Sequence, residues 1–124
     1  NPLARALGCR LLRVDAAGGR VELGFSPEAL FVQGTGVLQG GAVSAMLDFA
    51  MAFAVLAHLP AGASCATVNM ASSFLRTAPE GAYCAVGEIE RCGRSLAFTQ
   101  ARLMRQEDGV EVATGSSTLA LAWG

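Results

Sequence analysis

One carboxylate stands apart in this sequence. Asp48 is the only charged residue between Glu28 and Arg76, and it lies inside the apolar run 42–59. A buried carboxylate is costly unless it is paired or neutralised, and no cation sits one helical turn from it. Two readings follow. Either the carboxylate is hydrogen-bonded in the core or at a helix–helix contact, or it occupies a partly dry pocket with a raised pKa, available as base or nucleophile. Upstream, Gln39-Gly40-Gly41 opens the same run. The first N–H groups of a helix lack internal partners and carry the positive end of its dipole, and glycine lets a ligand approach them. Such a start is either a turn needed for chain reversal or a site that polarises a carbonyl and holds an oxyanion.

Geometry connects the two features. Gly41 and Asp48 are seven residues apart, on roughly one helix face but about 10 Å apart along the axis. One carbonyl cannot touch both within a protomer. Two such helices packed antiparallel about a two-fold axis bring each glycine start to the other subunit's Asp48. Chemistry that uses both groups therefore calls for a homodimer with two interfacial sites.

The elements that must position these residues are legible from periodicity. Residues 2–7 suit a short helix capped by Asn1 and stopped at Gly8. Residues 9–15 and 20–26 read as a hairpin around the turn AAGG, with Val21, Leu23 and Phe25 alternating against Glu22 and Gly24. PEALF makes one helical turn, and the glycine-rich stretch 32–41 is a loop. A long helix then spans about 41–58 and ends before Pro60. Strands follow at about 65–76, 82–91, 95–106 and 110–123. A helix apolar all round must be enclosed on most sides. The economical arrangement is an α+β fold in which one antiparallel sheet curls around one long central helix.

Composition narrows the function. The 124 residues fit a single domain, and 52% hydrophobic against 15% charged residues excludes a disordered chain. So apolar a small domain has more greasy surface than a monomer hides, which again points to subunit contacts. A net charge of −1 gives no electrostatic case for nucleic acid or an anionic membrane. The run 42–59 approaches spanning length, but Asp48 near its centre would cost roughly 2.5–3.5 kcal/mol in a bilayer. Burial in a soluble core explains it better. Cys9, Cys65, Cys84 and Cys92 form no C-x-x-C pair and have only His58 as company, so no metal site is expected. They read as buried, reduced thiols of a cytoplasmic protein. The first residues lack an apolar signal region and an initiator Met, so the expectation is no signal peptide and a trimmed start. His58 reads as a partner of the helix C-terminal dipole, and Met46, Phe49, Met51 and Phe53 as core.

The stretch GVLQGGAVSAMLDFAMAFAV resembles the helix-start motif of hotdog-fold acyl-CoA thioesterases of the phenylacetyl-CoA thioesterase type. In that family a polar residue, usually His, precedes Gly-Gly and an acidic residue follows nine positions later, the spacing of Gln39 and Asp48. TVNMASSFLRTA, RCGRSLAFTQARL and ATGSSTLAL resemble further strands of the family in its order, covering most of the chain from about Val21. The resemblance implies the hotdog fold, an acyl-CoA substrate with coenzyme A as its only cofactor-like part, and a homodimer or a dimer of dimers. It also implies roles. Asp48 would activate water or attack the thioester. The N–H of Gly40, with Gly41, would polarise the carbonyl, Gln33 would place an amide nearby, and Thr67 would orient the water beside Asp48. Arg76, Gly93, Arg94 and Ser95 would lie near the pantetheine and phosphates of CoA. Gln39 departs from the usual His; it still hydrogen-bonds but does not titrate near neutrality. That departure keeps a non-catalytic acyl-CoA-binding protein as an alternative, with a hotdog dehydratase or hydratase further behind.

Overall fold

Helix α2, Gly40–His58, is the only long helix, and six strands are arranged against it in a computed structural model that describes residues 1–124. Ahead of it come α1 (Pro2–Ala6), β1 (Arg10–Asp15), β2 (Arg20–Phe25) and a 3-10 turn, Ala29–Phe31. After it come β3 (Ser64–Phe74), β4 (Tyr83–Cys92), β5 (Leu96–Arg105) and β6 (Glu111–Ala122). These are the elements the periodicity predicts, displaced by no more than two residues at their ends. All strands join one antiparallel sheet in the order β1-β2-β4-β5-β6-β3. The chain leaves β2 near one edge, runs through α2 across the sheet, and re-enters as β3 at the opposite edge.

Small residues explain how closely α2 lies on the sheet. Alternation turns Ala85, Ala97, Ala101 and Ala113 inward, where each is buried. At Gly87 the contact is backbone to backbone: a Cβ there would lie 2.2 Å from the Ala50 carbonyl oxygen. Leu23, Phe25, Met46, Leu47, Met51, Tyr83 and Leu103 fill the rest of the core. The buried Thr99 and Ser117 hydroxyls satisfy each other at 2.7 Å, and the Tyr83 hydroxyl donates to the Pro79 carbonyl. Register shifts at Leu11/Arg13, Thr67/Asn69, Ile89/Arg91 and Leu103/Met104 interrupt the ladders, and such irregularities increase local bend and twist.

Two sequence expectations need correction. The helix is not enclosed on most sides within one chain. The sheet buries Ala42, Val43, Met46, Leu47, Ala50, Met51, Ala54 and Val55, while Ala45, Asp48, Phe49, Ala52, Phe53 and Leu56 stay partly open. Phe49 and Phe53, expected in the core, are half-buried at its margin, packed against it and stacked on each other at 5.7 Å between ring centroids. The cysteines are also not fully buried; all four are free and half-exposed, because they sit at strand ends and at the rim of the core, Cys65 against the flank of α2.

Candidate active site

The loop before α2 is folded so as to present the helix start. Gln39 N–H donates to Phe31 C=O, and Leu38 N–H donates to Ala78 C=O at 2.7 Å, pinning the loop to the Thr77-Ala78-Pro79 turn. Gln39 is the N-cap, but its side chain makes no cap hydrogen bond. No group of the chain accepts from the N–H of Gly40 or Gly41. Their glycine identity has no internal cause either. Neither has a positive φ, a Cβ on Gly41 would meet nothing within 4 Å, and one on Gly40 would meet only the Phe74 ring at 3.7 Å. Glycine in a helix is less favourable than alanine by up to about 1 kcal/mol. Two free donors and two unforced glycines leave room for something from outside the chain. Gln33, Gly40 and Arg76 share a cavity here of about 380 Å³, walled by Val43, Phe74 and Ala78.

Asp48 lies two turns further along α2. It is half-exposed rather than buried, since β3 borders it on one side only. From β3 the Thr67 hydroxyl donates to Asp48 Oδ1 at 2.8 Å. The register shift after Thr67 makes this contact possible. It leaves Val68 unpaired against β6, so that Cys65, Thr67, Met70 and Ser72 all meet the helix side. Bound to Asp48 as donor, the Thr67 oxygen keeps its lone pairs free to accept from a water. Cys65 belongs to this neighbourhood, which sequence reasoning missed. Burial, and then the Asp48 charge, raise its thiol pKa above the ordinary 9.0 and keep it protonated.

The predicted site residues therefore form three groups within one chain. Gln33, Gly40 and Arg76 gather at the start of α2, with Gln39 and Gly41 exposed beside them. Arg76 donates to the Glu111 carbonyl. Asp48 and Thr67 meet at mid-helix. Gly93, Arg94 and Ser95 form the β4–β5 turn at the other end, next to the small cluster of Val55, Leu59, Ala97 and Leu119. His58 joins none of them. Its Nδ1–H donates to the Ala16 carbonyl at 2.9 Å and ties the end of α2 to the β1–β2 turn.

An antiparallel sheet folded onto one long helix, with a free glycine terminus and a carboxylate on that helix, defines the hotdog class of acyl-transforming proteins. A sequence profile of the thioesterase superfamily matches residues 35–112, more than half of the chain and the part that holds α2 and Thr67. The chain belongs to the thioesterase superfamily and is a thioesterase. It is similar in structure to a phenylacetic acid degradation-related protein from Ralstonia eutropha, with 36% identity over 96% of this chain and 89% of that one and a TM-score of 0.90. A thioesterase family protein from Silicibacter pomeroyi matches at 29% identity over 100% and 91%, TM-score 0.90. The E. coli PaaI protein of the phenylacetic acid degradation operon shares the fold at 19% identity over 100% and 86%, TM-score 0.87. No match was found among curated protein sequences. The resemblance read from the motifs is borne out.

Proposed function

We propose that the protein hydrolyses an acyl-CoA thioester to a free acid and CoA at sites shared between two subunits. The observation that carries this reading is the Thr67–Asp48 hydrogen bond on the open face of α2, two turns from the free Gly40 and Gly41 donors. Asp48 takes a proton from a water held by Thr67, and the water oxygen attacks the thioester carbonyl. The oxyanion is met by the N–H of Gly40 of the partner subunit, with Gly41 beside it. Collapse expels the CoA sulfur, which takes the proton back from Asp48. Direct attack by Asp48 uses the same geometry and gives an anhydride that water then opens.

Two features of the single chain support the shared site. The open face of α2 exposes Phe49, Ala52 and Leu56 around Asp48. Strand β3 is a long outer edge whose side chains are largely exposed, Val68 at 60% and Phe74 at 55%. Gly40, Ser44 and Asp48 lie beside Phe74, Ser72 and Thr67 respectively, so α2 and β3 run antiparallel side by side. Bringing Gly40 of the partner subunit to Asp48 then puts the two-fold axis near Ser44 and near Ala71, and β3 pairs with its own copy. An apolar groove of about 600 Å³ under Leu11, Val14, Phe53 and Leu56 stays open in that dimer, and a dimer of dimers would cover it.

Asp48→Asn tests the assignment. Thiol release from a panel of aliphatic and aryl acyl-CoAs should fall about 10²–10⁴-fold with circular dichroism unchanged. Retention of wild-type turnover removes Asp48 from the mechanism. The hydratase reading needs a histidine across from the carboxylate, whereas His58 is engaged at the far end of α2.

A further inference from the structure

Ser44 is the only polar side chain between Gly41 and Asp48 on α2, and the chemistry described so far does not use it. Its hydroxyl lies 3.2 Å from that of Ser72 on β3, and both residues are half-buried. Neither hydroxyl has another partner in the chain. A pair of hydroxyls carries two O–H donors, and a single contact between them engages one. One proton is left over, on the flank of α2 that also carries Asp48. That flank is otherwise small and apolar, with Gly41, Ala45 and Ala52 around Asp48.

The position of Ser44 gives the leftover proton a destination. Ser44 stands four residues, about 6 Å of helix, from Gly40 on one side and from Asp48 on the other. In the proposed dimer the two-fold axis passes at that midpoint, with Ser72 next to it beside Ala71. A residue on a two-fold axis faces its own copy. Two hydroxyl pairs, each with one O–H unplaced, then meet and can close a ring. Ser44 donates to Ser72, and Ser72 donates to Ser44 of the partner subunit. That hydroxyl donates to Ser72 of the partner subunit, which donates back to the first Ser44. Every hydroxyl donates once and accepts once, so no donor is buried unpaired. The ring also has something to select. Antiparallel pairing of β3 with its copy is satisfied again after a slip of two residues, about 6.6 Å. Such a slip carries Gly40 of the partner subunit about one helical turn away from Asp48, and the small residues of the flank offer no shape to prevent it.

Resting on the proposed shared site, we infer that Ser44 is a positioning residue. With Ser72 it closes a four-hydroxyl ring across the two-fold axis, and the ring fixes the register in which Asp48 meets the glycine start of the partner subunit. A polar contact in an otherwise apolar interface sets register rather than tightness. Ser44→Ala combined with Ser72→Ala removes all four hydroxyls and leaves none unpaired, so the dimer should hold at least as tightly in a dilution series followed by light scattering. Where that variant is fully dimeric, kcat should fall about 10–100-fold with little change in KM. Ser44→Thr keeps the hydroxyl and should retain most of the wild-type kcat. Ser44→Cys reads the geometry without activity. Mild oxidation or a short bis-maleimide should join the two introduced thiols, found by peptide mass spectrometry against the wild-type protein with its four native thiols. Wild-type kcat in the double variant overturns the inference. A dimer that weakens while kcat at full association stays wild type does the same, because the serines then only tether. Mixing Asp48→Asn subunits with Gly41→Val subunits, each lacking one half of the site, tests the underlying reading separately. Recovered activity on mixing without any bridge between the introduced thiols leaves the shared site standing and removes Ser44 from its axis. No recovery on mixing sinks the shared site and the ring with it.

Discussion

Asp48 accepts one defined hydrogen bond in this chain, from Thr67, and that contact makes the first prediction sharp. Thr67→Val keeps the strand and its β-branched shape but removes the hydroxyl that both steadies the carboxylate and accepts from water. A hydrogen bond to a charged group is worth about 1.5–3 kcal/mol, so kcat should fall tenfold or more with little change in KM. Steady-state kinetics on one acyl-CoA decides it; a change confined to KM would make Thr67 a substrate contact instead. Cys65 offers a second probe of the same carboxylate. Burial and then Asp48 raise its thiol pKa above 9.0. A raised folded-state pKa gives a contribution to stability that is full below the unfolded value and lost as pH rises through the folded one. Below pH 9 the folded thiol is therefore protonated and slow to react. In Asp48→Asn the repulsion disappears while burial stays, so iodoacetamide should alkylate Cys65 faster at pH 8–9, read peptide by peptide in a mass spectrometer. No acceleration would mean that the carboxylate does not act on the thiol. The residue types at this site were legible in the sequence, since an isolated Asp in an apolar run and a Gly-Gly helix start are visible as letters. The burial of Asp48 was not, because it depends on a strand nineteen residues later that covers one flank only.

At the scale of elements, order and kind follow from periodicity, while adjacency does not. The strands read at 82–91 and 95–106 are separated by only a few residues, and β4 and β5 pair as antiparallel neighbours. Nothing local says that β3 pairs with β6 at the outer edge, or that β4 separates β2 from β5, since both depend on which way α2 crosses. The register of helix on sheet is likewise hidden in one small residue. Gly87 is where α2 touches the sheet backbone, and an added Cβ would meet Ala50 O at 2.2 Å and Met51 N at 3.0 Å. Backbone atoms cannot rotate away as a side-chain end can, so Gly87→Ala must lift the helix. The expected loss is about 1–3 kcal/mol or more, visible as a lower urea midpoint. Activity should drop as well, since the same shift moves Asp48 relative to Thr67. A midpoint equal to wild type would show that helix and sheet have slack at this crossing.

For the whole molecule, the decisive question is whether one subunit's carboxylate works with the other's glycine start. Within the chain, Gly40 and Asp48 are eight residues of helix apart, about 12 Å, and no loop carries one to the other. In the proposed dimer an antiparallel twin would close that gap and cover the flank of α2 that carries Asp48 together with the β3 edge. Two individually crippled variants can prove the sharing. Asp48→Asn removes the proposed base, and Gly41→Val fills the space over the free amides, where the chain itself leaves nothing within 4 Å. Each homodimer should be inactive. In a mixed dimer, one site combines both defects, while the other draws Asp48 from the Gly41→Val chain and its glycine start from the Asp48→Asn chain, and so is intact. Equal co-expression makes half the dimers mixed, each with one good site, and activity should return to about a quarter of wild type. If every site lies within one subunit, mixing restores nothing. Size-exclusion light scattering on the same samples separates that outcome from a failure of the two variants to associate.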